Sequence, residues 1–353
     1  MNHRIITTLL AATLGVAASA QNFNEWRNAY VNEIDRAPMH ADFFAYESEG
    51  IEDPAQSANY FSICGDWQFK WVKDANQRPT DFWKEKYDTS DWSRMPVPGM
   101  WELNGFGDPL YLNIGYAWRG HYDNRPPVPP VKENAVGSYR KTFTLPAGWK
   151  GKDIMIHFGS VTSNIYLWIN GKFVGYSEDS KLAAEFDVTD FVKPGKENLV
   201  AFQVFRWCDG SYLEDQDFFR FCGVARDSYL YSRRKQRIED IRVTPDLDAS
   251  YMDGSLKVEL DFKGKGGSVN LALLDSERRT VAEATVSGKT SASAIMEVPA
   301  PRKWSAETPY LYTLEASYGG ETIPVKVGFR KIEIKDSQVL VNGQPVLFKG
   351  ADR

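Results

Sequence analysis

The feature that most constrains this fold is a series of short alternating segments separated by turn residues. Its clearest example is Ile165–Ile169, followed by Asn170-Gly171 and then by Lys172–Tyr176. An Asn-Gly pair between two alternating runs predicts a β-hairpin, because both turn residues must adopt positive φ. Comparable runs recur with turn signals every ~8–12 residues, a spacing that is typical of an all-β sandwich.

The runs divide into two consecutive domains. Residues 58–235 form the first, with strands predicted at Trp67–Trp71, Tyr139–Leu145, Ile154–Phe158, Glu185–Val188 and Leu199–Phe205. Residues 236–332 contain fewer aromatic side chains and mostly Val, Ile and Leu alternation. Their length and their six or seven expected strands are those of an immunoglobulin-like sandwich. A short helix is also predicted at Phe82–Tyr87, because Trp83 and Tyr87 would share one helical face.

The N-terminus predicts an exported protein. Residues 1–20 have a polar, basic start, an apolar run and a final Ala18-Ser19-Ala20, which is the pattern of a signal peptide cleaved before Gln21. Residues 21–57 follow as a polar extension, in which Trp26 and Phe43-Phe44 are the expected anchors. We therefore expect a periplasmic or secreted location.

Charge and apolar content exclude some partners. The chain of 353 residues has a net charge of −5, so it lacks the basic surface that nucleic acid requires. Beyond the signal peptide no segment approaches twenty apolar residues, which argues against a membrane span. Aromatic residues make up 14%, a content suited to large sheet faces and to sugar ligands.

Cysteine and histidine give no metal-site spacing. Cys64, Cys208 and Cys222 are an odd set, so they cannot form a complete disulfide framework. Cys208 and Cys222 lie fourteen residues apart, and a pair between them stays open beside the favoured alternative of buried thiols. The widely spaced histidines do not match a zinc site.

One segment carries most of the candidate chemistry. Residues 209–217, here called the acidic loop, place Asp209, Glu214, Asp215 and Asp217 within nine positions. Their spacing alone favours a solvated loop. The flanking rings of Trp207, Tyr212, Phe218 and Phe219 favour instead a site for sugar hydroxyls or for a hard cation held by carboxylate oxygens.

The C-terminal residues predict a second hairpin. Asn342-Gly343 separates Gln338–Val341 from Gln344–Lys349. Val346–Phe348 is apolar on both faces, which is typical of a strand in a buried sheet. We therefore expect the chain to be the front part of a longer protein.

Several segments together resemble the large β-galactosidases of glycoside hydrolase family 2. The acidic loop, followed by Phe219-Arg220, Gly223-Val224 and Arg226-Asp227, is the most specific match. The others, in the same order as in the family, are Cys64–Phe69, Val97–Glu102, Asp108–Asn113, Pro126–Pro129, Trp304–Pro309, Val327–Arg330, Asn342–Pro345 and Lys349–Arg353.

The resemblance implies a fold and a chemistry. The fold is a jelly-roll, galactose-binding-like sandwich, then an immunoglobulin-like sandwich, then at 333–353 the first strands of a truncated (β/α)8 barrel. The family uses a retaining mechanism with two glutamates, one as acid/base and one as nucleophile. Both glutamates, and a magnesium ion, belong to the barrel beyond Arg353. The chain is accordingly expected to contain no catalytic residue and to be inactive alone.

The resemblance also implies two substrate-binding residues in this chain. Asn113 stands where the family places an asparagine that contacts the galactosyl group. Asp217 stands where it places an aspartate that touches the sugar and binds a sodium ion. The expected partner is therefore a β-galactoside, and the oligomeric state is left open, because family members often assemble through segments outside this chain.

Three functional hypotheses follow. The first is the N-terminal part of an exported β-galactosidase, the second a self-contained carbohydrate-binding module without activity, and the third a related β-glucuronidase or β-mannosidase. The acidic loop favours the first over the third. The strand at Val346–Lys349 argues against the second. The natural galactoside is left open.

Overall fold

The computed structural model describes residues 23–350, and within that range the fold is all-β, as predicted. Six short 3-10 helices are the only helices there: Glu25–Arg27, Pro54–Gln56, Ala75–Gln77, Glu102–Asn104, Ala147–Trp149 and Asp209–Tyr212. None of them is long and apolar enough to cross a membrane. The predicted signal peptide, residues 1–20, lies outside the described residues.

The strands fall into three consecutive groups. The first group is β1 (Glu33–Ile34), β2 (Tyr60–Ser62), β3 (Gly65–Val72), β4 (Ser93–Val97), β5 (Gly99–Met100), β6 (Tyr111–Leu112), β7 (Val136–Thr144), β8 (Asp153–Phe158), β9 (Val161–Thr162), β10 (Ile165–Ile169), β11 (Lys172–Ser177), β12 (Ala184–Asp187), β13 (Glu197–Phe205), β14 (Phe218–Phe219), β15 (Gly223–Val224) and β16 (Ser228–Arg233). The second is β17 (Arg237–Leu247), β18 (Gly254–Lys263), β19 (Ser268–Leu274), β20 (Thr280–Ser287), β21 (Ser291–Val298), β22 (Tyr312–Tyr318) and β23 (Glu321–Val327). The third is β24 (Ile332–Lys335), β25 (Gln338–Val341) and β26 (Gln344–Pro345).

The first group forms the jelly-roll sandwich. Its large sheet has the strand order β1-β11-β10-β13-β7-β3-β4, and its smaller sheet the order β12-β8-β16-β2. The core between them is rich in large rings and branched side chains, including Trp67, Phe202, Ile156, Phe186 and Leu230. Two small sheets, β14-β6 and β5-β15-β9, connect the loops at one end.

The central strands β10 and β13 of the large sheet are buried on both faces, which explains the near-continuous apolar run of β13. Phe202 and its alternate neighbours belong to the sandwich core. Ala201 and Phe205 point the other way, into a second cluster with Trp26 and Trp168. That second cluster is covered partly by the N-terminal extension.

The predicted hairpin is present between β10 and β11. Asn170 and Gly171 have φ of 50° and 79°, the positive values that a tight turn of this kind needs. Ile169 pairs with Lys172 directly across the turn.

The N-terminal extension packs along the domain, and its expected anchor Trp26 is buried. The Trp26 ring stacks on Phe205 with centroids 4.9 Å apart. The extension also adds an edge strand to the large sheet, where Glu33 pairs with Ser177. The sequence did not predict this strand.

The second group forms the immunoglobulin-like sandwich, with seven strands in sheets β17-β18-β21 and β20-β19-β22-β23. Two ion pairs of buried arginines join it to the jelly roll. Arg233 pairs with Glu321 at 3.1 Å, and Arg237 pairs with Asp153 at 2.7 Å. Both arginines are almost fully buried.

Two predicted elements are absent. Residues 82–87 form a turn rather than a helix, because the Arg140 guanidinium binds the main-chain carbonyls of Phe82, Lys84 and Glu85. Those carbonyls therefore point at an arginine of a distant strand and not along a helix axis.

The expected barrel strand at Val346–Lys349 is also not a strand. The third group is an antiparallel meander, β24-β25-β26, and the predicted Asn342-Gly343 turn lies within it. Leu347 and Phe348 are 79% and 74% exposed, because no strand of the described chain pairs with them.

Candidate functional site

The acidic loop leaves β13 through a short 3-10 helix. Cys208 precedes the helix, and its main-chain N–H donates to the Ser211 hydroxyl at 3.1 Å. Cys208 and Cys222 are both buried free thiols, so the pairing that the sequence left open does not occur in the structure.

Arg220 organises the middle of the loop. Its guanidinium donates to the main-chain oxygens of Glu214 and Gln216 at 3.1 and 2.6 Å, and to the Asp215 carboxylate at 2.6 Å. The Glu214 side chain, in turn, accepts from the main-chain N–H of Ser180 at 3.1 Å. Two acids of the loop therefore have structural partners.

The third acid of the loop, Asp209, is buried. It is 8% exposed and sits beside Glu178, which follows β11. The loop is therefore not the freely solvated segment that its spacing favours, since three of its four acids hold the loop in place.

Asp217 is the fourth acid, and it is exposed. Its carboxylate accepts a hydrogen bond from the Tyr111 hydroxyl. No ion pair neutralises this carboxylate within the described residues, where Arg220 pairs with Asp215 and Arg206 with Glu102. A carboxylate in this position can accept bonds from a ligand.

Asn113 and Asp217 flank the same end of one strand pair. Phe219 pairs with Tyr111 and Phe218 with Leu112 in the antiparallel ribbon of β6 and β14. Asn113 follows Leu112 and Asp217 precedes Phe218, so the two residues leave the ribbon at the same end, although 104 positions separate them in the chain. Both residues are exposed. Their joint role in binding stays a prediction.

Aromatic rings border this pair. Tyr111 packs edge-on against Phe219, with ring centroids 5.4 Å apart. Tyr111, Phe218 and Phe219 are each about half exposed, at 53%, 52% and 51%. Exposed rings beside a carboxylate and an amide are groups that suit the apolar face and the hydroxyls of a sugar.

Trp207 and Tyr212 have a structural role instead. Trp118 contacts both rings, with centroids 5.7 and 5.0 Å away. The Tyr212 hydroxyl donates to the Val128 carbonyl at 3.0 Å, which fixes the proline-rich segment. These two rings therefore hold the loop in position through packing and hydrogen bonding.

Arg206, the residue that follows β13, is held by two partners. It lies 3.5 Å from Glu102 and donates to the Asp108 carbonyl at 3.2 Å. Burial raises the pKa of Glu102, against hydrogen bonds and the Arg206 charge that lower it. A cavity of about 400 Å³ opens beside Arg206, lined also by Trp71, Trp118 and His121.

The groups at Asp217 and Asn113 include oxygen donors of the kind that bind hard cations. One carboxylate and a neighbouring amide are hard oxygen donors, which suit sodium better than they suit zinc. In residues 23–350 no group of three or more His, Cys, Asp or Glu side chains is arranged to hold a metal ion. The residues present therefore fit a weakly held hard cation and do not form a complete cage.

Sequence reasoning missed two contributors. Tyr111 lies two residues before Asn113, so strand alternation from Asn113 would have placed it on the same face. Glu178 carried no comparable signal, because its contact with Asp209 crosses 31 positions and depends on the folded loop.

Two consecutive antiparallel sandwiches, the first with an exposed carboxylate bordered by rings, are the architecture that two family models match. A family model described as "Glycosyl hydrolases family 2, sugar binding domain" matches residues 61–234, and "Glycosyl hydrolases family 2" matches residues 236–330. The chain belongs to glycoside hydrolase family 2.

Curated relatives support the same family. A protein named beta-galactosidase from Priestia megaterium is 37% identical over 95% of this chain, and one from Streptococcus thermophilus is 39% identical over 94%. A "Beta-galactosidase large subunit" from Latilactobacillus sakei is 33% identical over 92%. The chain spans about a third of the first two relatives, 34% and 33%, and 54% of the third.

Solved structures share the fold. A beta-glucuronidase from an uncultured Clostridium superposes with a TM-score of 0.64 at 25% identity, over 82% of this chain and 48% of that chain. One from Ruminococcus gnavus gives 0.65 at 23% identity, over 86% and 51% respectively. The second likeness concerns the fold alone.

Proposed function

We propose that this chain forms the N-terminal, non-catalytic domains of an exported β-galactosidase that hydrolyses terminal β-D-galactosides with retention. The acid/base and nucleophile glutamates, with any magnesium ion, would belong to a barrel outside these 353 residues. The relatives named beta-galactosidase support this, since the chain matches about a third of their length.

One observation carries the proposal. Asn113 and Asp217 adjoin the same end of the β6–β14 ribbon, whose rings Tyr111, Phe218 and Phe219 are exposed, and this arrangement supports the proposal. In the proposed role, Asp217 accepts hydrogen bonds from galactosyl hydroxyls, and the Asn113 amide both donates and accepts. Asp217 would also hold a sodium ion, which supplies positive charge to orient sugar oxygens.

The names of the relatives and the negative charge of Asp217 both favour a galactoside over a glucuronide. Curated relatives of 33–39% identity are named for galactosides, whereas the two solved structures named for glucuronides are 23–25% identical. A uronic acid would also bring a carboxylate toward Asp217, whose charge is unpaired among the described residues. Repulsion there disfavours glucuronides.

The coding sequence and turnover together test the proposal. We expect the frame to continue past Arg353 into barrel strands that include two active-site glutamates. The product of the continuous frame should hydrolyse aryl β-galactosides in preference to aryl β-glucuronides, and the 353-residue chain alone should hydrolyse neither. A stop codon after Arg353, a preference for glucuronides, or turnover by the purified short chain would contradict it.

A further inference from the structure

Two carboxyl groups meet beneath the acidic loop. Glu178 and Asp209 are only 9% and 8% exposed. Gly210 packs directly on Glu178, because a Cβ on that glycine would lie 3.1 Å from the Glu178 Oε2. The start of the loop therefore rests on this pair.

The hydrogen bonds around the pair are incomplete if both groups are ionised. Glu178 accepts from the Tyr176 hydroxyl. The Asp209 Oδ1 is buried and has no hydrogen-bond partner within the described residues. Ionised carboxylates only accept, so two of them cannot bond to each other. A proton between them supplies the missing donor.

Within the described residues no cation forms an ion pair with Glu178 or Asp209, and Arg36, which donates to the Ser177 hydroxyl at 3.2 Å, pairs with Glu33 instead. On the strands the neighbouring groups are Tyr166 of β10 and Tyr176 of β11, and on the loop they are Cys208 and Glu214. From the N-terminal extension, Glu25 reaches the pair's surroundings by accepting from the Tyr166 hydroxyl at 3.1 Å. The tyrosines, Cys208 and the two glutamates are neutral or acidic, so none of them neutralises the pair.

The titration of the pair agrees with this geometry. Burial, together with the negative charge of Asp209, raises the pKa of Glu178 to about 8, although the Tyr176 hydrogen bond opposes the shift. Burial raises the pKa of Asp209 as well. A buried acid pair without a cation is the arrangement that retains a proton at neutral pH.

We propose that Glu178 and Asp209 share one proton, and that this singly charged pair positions the beginning of the acidic loop. Removal of the proton places two negative charges in a buried space, which drives Asp209 and the loop outward. The consequence for Asp217 rests on the proposed function. The effect of the proton on the position of the loop does not rest on the proposed function. A measurement of loop exchange can therefore contradict the proton sharing while the proposed function stands.

Hydrogen–deuterium exchange of the 353-residue chain tests the pair. Glu178→Gln keeps the shape and the donor of the protonated acid but cannot lose a proton. At about pH 9, peptides covering residues 209–217 should exchange roughly tenfold faster in wild type than in Glu178→Gln, and at about pH 6 the two should match. Comparison at one pH removes the intrinsic pH dependence of exchange.

A control and a second measurement complete the test. Glu283→Gln changes an exposed glutamate of β20 and should behave as wild type at both pH values. Infrared spectra of the wild type should lose a protonated-carboxyl band between about pH 7 and pH 9. Equal exchange of wild type and Glu178→Gln at both pH values, or the absence of that band at about pH 6, would overturn the proposal.

Discussion

Asp217 differs from the other acids of its loop in what surrounds its carboxylate. Glu214 accepts from the Ser180 main chain, Asp215 pairs with Arg220, and Asp209 is buried. Asp217 is exposed and accepts only from the Tyr111 hydroxyl among the described residues. It is therefore the acid of the loop that is available to a ligand.

The hydrogen bond from Tyr111 should affect how well Asp217 binds a ligand. Tyr111→Phe keeps the ring that packs on Phe219 but removes the donor to Asp217. Because this bond orients the carboxylate, we expect galactoside affinity to fall about three- to tenfold in an NMR titration. Stability should change by less than about 0.5 kcal/mol, since Tyr111 is 53% exposed.

Tyr30→Phe is the matched control, because Tyr30 is 98% exposed. It should leave affinity unchanged. If Tyr111→Phe binds as well as this control does, the tyrosine does not orient Asp217.

At this scale the sequence located the loop but not the roles of its acids. The motif and the flanking rings indicated residues 209–217. The partners that distinguish the acids, Ser180, Arg220 and Glu178, are brought to them by folding. Local spacing contains no information about such contacts, so spacing alone favours a solvated loop, and only the flanking rings and the family motif favour a site.

At the scale of elements, turn chemistry is decisive for the β10–β11 hairpin. Gly171 has φ of 79°, a conformation that is costly for residues with a Cβ. Gly171→Ala should lower the free energy of unfolding by about 1–2 kcal/mol in urea denaturation.

Gly148→Ala provides the control for that substitution. A Cβ at Gly148 would meet no atom within 4 Å, and the residue has no positive φ. The control should be neutral or slightly stabilising. Equal stability of the two variants would show that the turn tolerates a side chain.

The two hairpin turns formed as predicted, whereas the Phe82–Tyr87 helix did not, because the two predictions rest on signals of different strength. Asn-Gly specifies its turn through its own backbone preference, so both predicted hairpin turns are present. The Phe82–Tyr87 helix rested on one i, i+4 pair, and long-range packing overrides such a weak signal. Trp83 stacks instead on Trp168, with centroids 4.7 Å apart.

At the scale of the molecule, buried charges join the two sandwiches. Arg237 of β17 lies 2.7 Å from Asp153 of β8, and Lys263 lies 3.3 Å from the same carboxylate. Burial opposes ionisation of Asp153, but these two cations outweigh it and lower its pKa. The stability that these ion pairs give to the joint between the two sandwiches should therefore depend on pH.

Asp153→Asn tests this dependence. A lowered pKa in the folded state stabilises the protein above the unfolded value of about 3.8, and this contribution disappears as the pH falls. At about pH 7 the variant should be less stable by roughly 1–3 kcal/mol, and the difference should shrink below about pH 4 in thermal unfolding.

Asp81→Asn is the control for the joint, because Asp81 forms an exposed pair with Lys84. It should change stability by less than about 0.5 kcal/mol at any pH. A difference between Asp153→Asn and wild type that is constant with pH would contradict the assigned titration.

The two-sandwich architecture was predictable because alternation, turn spacing and family motifs all agreed. The closing strand at Val346–Lys349 was not, because a strand exists only with a neighbour to pair with, and its sequence cannot supply one. The edge strand β1 was missed for a related reason. Its two residues carry too short a pattern to be recognised.

The most direct test of the account is a ligand-observed NMR titration of the chain with a methyl β-D-galactoside, in sodium chloride and in choline chloride. We predict binding that weakens about tenfold in Asp217→Asn and Asn113→Ala, and that is weaker without sodium. Asp123→Asn, a change at an aspartate 84% exposed, should bind as wild type does. Equal binding by all four proteins, or no sodium effect on the wild type, would contradict a galactosyl site at Asp217 and Asn113.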